Sequence, residues 1–154
     1  MANVADVLAL KGPRVYSIHP SATILEATRV MNRHKIGSLV VTAGPQHTED
    51  TACEQVIGMF TERDVLTRVV AQQRDPATTT VEEVMTREIA FCRPDDDLDL
   101  IAAMMRERRV RHLPVCDGDS ELRGIISIGD LNAWRAQGQE VEISYLHEYI
   151  YGRV

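Results

Sequence analysis

"GIISIGD", residues 124–130, and "GMFTERD", residues 58–64, spell one pattern: a glycine, two apolar residues, a hydroxyl, two variable positions and an aspartate. The apolar run reads as a buried strand, and the hydroxyl with an acid three residues on reads as the start of a helix. A pattern of this detail written twice in a short chain points to an internal duplication, which decides the fold if it extends.

It extends in both directions. With Asp64 laid on Asp130, "VADVL" (4–8) falls on "VEEVM" (81–85), and "YSIHPSATILEATRVM" (16–31) falls on "AFCRPDDDLDLIAAMM" (90–105), proline on proline at Pro20 and Pro94. "KIGSLVV" (35–41) falls on "RVRHLPV" (109–115). The surplus residues of the first copy lie around "LKGPR" and between "SLVV" and Gly58, where loops tolerate insertion. The polar stretch 44–55 is expected to be the most mobile segment.

Each copy reads as β-α-β-β-α. A short strand, "VYSI" or "IAFC", runs into the proline. A helix follows, opened in the first copy by a Thr23/Glu26 capping box and in the second by Asp97. Ile24, Ala27, Val30 and Met31 fall on one face, as do Leu98, Ile101, Met104 and Met105. Two strands and a last helix close each copy. Neither half can cover its sheet alone, so the two are expected to pack on each other. The division runs 1–78, 79–138 and an amphipathic tail helix over 139–154, with "DPATTT" (75–80) as the linker. Ile143, Leu146 and Ile150 share a face of the tail, which suits docking on the body or on a partner subunit.

Composition narrows the function. A net charge of −6 argues against general binding to nucleic acid or to an anionic membrane. No apolar run reaches the length of a membrane helix, and the start of the chain lacks the signal-peptide pattern, so a cytoplasmic protein is expected. Cys53, Cys92 and Cys116 are odd in number and widely spaced, which reads as free buried thiols in a reducing compartment. His19, His34, His47 and His147 lack metal-ligand spacing, and no metal is expected. No nucleophile elbow, phosphate loop, zinc-protease or dinucleotide fingerprint occurs, so the chain reads as non-catalytic.

The ordered set "VMT", the proline-led helix, "HLPV" and "GIISIGD" resembles a tandem pair of CBS domains, the Bateman module, over about residues 4–135. The resemblance implies an α/β (α+β) fold with pseudo-twofold symmetry, two clefts between the halves, and dimerisation into a flat disc. It further implies a regulatory sensor of adenosine-containing ligands, AMP foremost, with ATP, ADP or NAD(H) as alternatives, signalling to an effector protein. With its "YIYG" ending the chain resembles small stand-alone bacterial signalling proteins of this kind.

Residue chemistry fits that expectation. A hydroxyl beside unpaired N–H groups at a helix start can hold a phosphate, and an aspartate there can accept two hydrogen bonds from a ribose diol. Thr61 and Asp64 are assigned to one cleft, Ser127 and Asp130 to the other. By resemblance the base lies near Ile18, Ala90 and Ile36. The same residues also make good helix caps, and both roles can hold together. "RERRVRH" (106–112) is the basic cluster of an acidic chain. Arg106 and Arg108 suit a helix C-terminus. Arg111 and His112 enter the next strand and, by resemblance, read phosphate, whereas the first copy offers only Gly37 and Ser38 there. The clefts are therefore expected to be unequal. Arg63 is a weaker phosphate candidate. The competing reading is a protein-interaction subunit with vestigial clefts; S-adenosylmethionine also satisfies the ribose logic.

Overall fold

The computed structural model describes residues 1–12, 14–44 and 52–151. The mixed helix-and-strand architecture expected of the duplication is present. In the first half β1 (Ser17–Ile18) runs parallel to β2 (Ser38–Thr42), which pairs antiparallel with β3 (Val56–Thr61). In the second, β4 (His112–Cys116) pairs antiparallel with β5 (Leu122–Ser127). The strand expected over "IAFC" is reduced to a single parallel bridge between Cys92 and Val115.

Local chemistry sets the helix ends. Helix α2 (Ile24–His34) opens on the Thr23/Glu26 capping box, and α5 (Leu98–Arg108) opens on Asp97, whose carboxylate accepts from the amides of Asp99 and Leu100. Each ends on a left-handed residue, Lys35 at φ 55° and Arg109 at φ 54°. After β3 come α3 (Glu62–Asp64) and a π-helical continuation over Val65–Val70. After β5 comes α6 (Ile128–Tyr151).

The two cores do not follow the sequence boundary at 78/79. Helix α1 (Val4–Lys11) belongs to the first copy, yet Val4 and Val7 are buried with Ile101, Leu113 and Ile126 of the second. Helix α4 (Val81–Val84) belongs to the second copy, yet Val81, Val84 and Met85 are buried with Ile24, Leu39 and Phe60 of the first. Isolated bridges Asn3–Asp97 and Thr23–Thr80 fasten the exchanged segments. A third cluster, Val40, Val56, Met59 and Ile125, seals the two halves against each other. Burial of aliphatic surface at roughly 25 cal/mol per Å² is the main force in all three.

Glycine opens each duplicated motif because the exchanged helix lies on it. A side chain at Gly58 would meet the Met85 sulfur at 2.6 Å and the Thr86 carbonyl at 3.1 Å. A side chain at Gly124 would meet Leu8 at 2.8 Å. Leu8 and Met85 are equivalent positions of the two copies, so the contact is reciprocal.

Two expectations are corrected. Cys53 and Cys116 are not free thiols: they form a disulfide joining the turn before β3 to the end of β4, across the two halves. Their spacing in sequence gives no hint of this, because only the folded turn brings them together; the Cys53 amide also donates to the Ser120 carbonyl. Cys92 remains a free buried thiol, pushed up to about 12 by desolvation and by nearby Asp96. The tail is also no separate helix. It continues α6, and Val141, Ile143, Tyr145, Leu146, Tyr149 and Ile150 are exposed rather than docked on the body. His47 and most of the 44–55 loop lie outside the described residues.

Candidate nucleotide cleft

Both hydroxyl–aspartate pairs fold back on themselves. The Thr61 amide donates to Asp64 Oδ2 at 3.0 Å, and the Asp64 amide donates to Thr61 Oγ1 at 3.4 Å. The Ser127 amide donates to Asp130 Oδ2 at 2.7 Å, and the Asp130 amide donates to Ser127 Oγ at 3.1 Å. These are reciprocal caps of the helix starts. The amides of Thr61, Asp64, Ser127 and Asp130 are thus already engaged within their own motifs.

The two aspartates differ in what else they hold. Asp64 is buried, receives the Thr86 hydroxyl on Oδ1 at 3.3 Å, and lies 3.7 Å from Arg68. Desolvation pushes its carboxyl above the ordinary value, against the pull of the Thr61 amide and Arg68. Asp130 instead receives the ammonium of Lys11 at 2.8 Å. Burial raises its carboxyl, but Lys11 and the Ser127 amide outweigh that and leave it below the ordinary value.

A cleft of about 410 Å³ opens between the halves at Asp64, within the size range of small-molecule sites. Met59, Ile89, Ala90 and Ile128 give it apolar lining, and Thr61, Asp64, Thr86, Arg63, Arg109, Arg111 and His112 line it with polar and charged groups. Strand pairing explains the gathering. His112 faces Ser127 in the β4–β5 register as Ser38 faces Thr61 in β2–β3. The amide after each hydroxyl donates to the residue before the partner strand, Glu62 to Gly37 and Ile128 to Arg111. Arg111 of one copy is thereby held where the first has Gly37, and both line the cleft. Arg63 donates to the Arg109 carbonyl at 3.1 Å, tying the rim across the halves. Desolvation lowers His112 below its ordinary value, as do Lys11 and Arg111, against Asp130 and Glu62.

The structure brings Thr61, Asp64, Ala90, Arg111, His112, Gly37 and also Ser127 around this one cavity. It does not bring Asp130, which is held by Lys11, nor Ile18, which is buried in the first core. Ser38 is buried at the start of β2, and Ile36 lines a shallow depression with Met31 and Leu66. Sequence reading missed Thr86, Lys11, Arg109 and Met59. Thr86 follows α4 and Lys11 ends α1, and it is the fold that brings each to an aspartate. Among the described residues, no group of three His, Cys, Asp or Glu side chains is placed to hold a metal ion, and no helix is long and apolar enough to cross a membrane.

The sequence pattern of the CBS domain matches residues 4–71 and 81–136. The CBS domain-containing protein YhcV of Bacillus subtilis is 33% identical over 133 residues, covering 85% of this chain and 84% of that protein. A crystal structure of a CBS-domain containing protein from Agrobacterium tumefaciens superposes with a TM-score of 0.75 at 34% identity, covering 86% of this chain and 98% of that one. A CBS domain pair solved in complex with 5-methylthioadenosine and S-adenosyl-L-methionine superposes with a TM-score of 0.72 at 23% identity, covering 90% and 98%.

Proposed function

The chain belongs to the CBS domain family, as two domains in tandem, and on that footing we propose that it is a non-catalytic sensor of an adenosine-containing nucleotide, bound in the Asp64 cleft. One observation carries the reading: a buried carboxylate from one copy and the Arg111/His112 pair from the other face a single apolar-walled cavity. The carboxylate suits a ribose diol, the apolar walls suit a base, and the guanidiniums suit phosphate. AMP is the foremost ligand, with ADP, ATP and NAD(H) as alternatives. The pair solved with methylthioadenosine and S-adenosylmethionine supports the adenosine part of the assignment, while the three arginines at the rim favour a phosphorylated nucleoside. Binding acts on an effector only through unequal affinity for two arrangements of the halves.

We further read the protein as a cytoplasmic homodimer. The exposed apolar side chains of α6, with Leu66 and Val70 on the π-helical turn, favour association. In that compartment the Cys53–Cys116 bridge is open to reduction by the thiol pool. The test of the ligand assignment is calorimetric titration with AMP, ATP, NADH and S-adenosylmethionine in turn. Saturable binding of a phosphorylated member supports it. Silence from all four in folded protein favours the second reading, an interaction subunit whose docking surface is the exposed face of α6.

A further inference from the structure

The reciprocal contacts of the exchanged helices differ where they reach the two aspartates. In the first half, Thr86 follows the exchanged helix; its amide donates to the Met59 carbonyl at 2.8 Å, and its hydroxyl donates to Asp64 at 3.3 Å. Met59 and Ile125 are equivalent positions, as are Asp64 and Asp130. In the second half, the Lys11 ammonium alone bonds both equivalents: the Ile125 carbonyl at 2.7 Å and Asp130 Oδ2 at 2.8 Å. Helix α1 makes this possible. It runs on to Lys11 before Gly12 ends it at φ 91°, whereas α4 stops at Val84. The longer helix carries a cation up to the second aspartate, where the shorter helix leaves an uncharged hydroxyl beside the first.

We propose that Lys11 is a tethered occupant of the Asp130 grip, so that the protein holds one nucleotide per chain, in the Asp64 cleft. A diol needs the carboxylate oxygens of its aspartate. At Asp130, Oδ2 is already shared between the Ser127 amide and an ammonium, and a charge-assisted bond of this kind is not displaced by a neutral hydroxyl without loss. At Asp64, Oδ2 accepts from the Thr61 amide in the same way, but its further partners are the neutral Thr86 hydroxyl and a guanidinium 3.7 Å from Oδ1, and among the described residues no ammonium bonds it. Lys11 therefore sets which of two near-identical grips is open. The inference rests on the nucleotide reading above.

The test is calorimetric titration of AMP into the full chain and into Asp64→Ala, Lys11→Gln, Lys11→Ala and Lys11→Gln/Asp130→Ala variants, each confirmed folded by thermal melt. The Lys11 side chain is 34% exposed, and two replacements guard against a misfolding artefact. The expected result is one site in the parent, that site weakened at least tenfold in Asp64→Ala, two sites in both Lys11 variants, and one again when Asp130 is also removed. Two sites in the parent, one site in the Lys11 variants, or loss of the parent's site on replacing Lys11 each overturn the inference and leave the nucleotide reading standing. Binding in none of the proteins overturns both.

Discussion

The sulfur of Met85 occupies the space that a side chain at Gly58 would need, 2.6 Å from where its Cβ would stand. The contact fixes the seating of the exchanged helix α4 on the first half, and with it Thr86 beside Asp64. Gly58→Ala is expected to destabilise the protein by about 1–3 kcal/mol, the usual range for overpacking a tight core. Gly124→Ala should cost less, because Leu8 can yield whereas the Thr86 carbonyl near Gly58 cannot. Chemical denaturation of the two variants checks the order.

Exchange of the leading helices makes a second prediction. Val7 lies in the first sequence copy but is buried in the core of the second. Val7→Ala should therefore cost about 1–3 kcal/mol. Amide exchange should quicken in β4 and β5 more than in β2, and the reverse pattern would mean that each copy folds with its own leading helix.

The disulfide predicts a redox dependence of stability. Its cysteines are separated by 63 positions, and tying a loop of that size removes unfolded-state entropy worth about 4 kcal/mol at most. Reductant, or Cys53→Ser, should lower the melting temperature, while Cys92→Ala should leave the reductant response intact. A melting temperature indifferent to reductant would show that the bridge contributes nothing.

His112 predicts a pH dependence of two kinds. Its pKa in the fold lies below the ordinary 6.5, so the unfolded chain binds the proton more readily. Stability is therefore full above that value and declines as pH falls through 6.5 toward the lowered pKa. A bound phosphate would raise the pKa again, so binding takes up a proton and strengthens as pH falls toward the lowered pKa of the free protein. Each unit of upward shift is worth about tenfold in affinity. Titrations at several pH values check it, and His112→Gln should flatten both profiles.

Much of this was legible in the chain. The duplication shows in glycine, hydroxyl and aspartate at matched positions, and the caps at Thr23 and Asp97 are where their spacing places them. What periodicity could not show was partnership. Val4 and Val81 have the same apolar character whichever half they enter, and Cys53 meets Cys116 only through the fold. The asymmetry of the site was half visible: Arg111 and His112 against Gly37 and Ser38 stand in the sequence. The deciding contact of Lys11 with Asp130 joins residues 119 positions apart, and neither bears a mark of the other. Continuity of α6 over Ile128–Tyr151 was not expected, because the tail's apolar pattern was read as a helix of its own.

The central claim is that Asp64 grips the ribose of a phosphorylated nucleoside. Calorimetric titration of AMP into nucleotide-stripped protein, with Asp64→Ala in parallel, tests it most directly. The account predicts saturable binding by the parent and at least tenfold weaker binding by the variant, with the variant still folded. Equal affinity of the two proteins, or no heat from the parent with any of AMP, ATP and NADH, would contradict it.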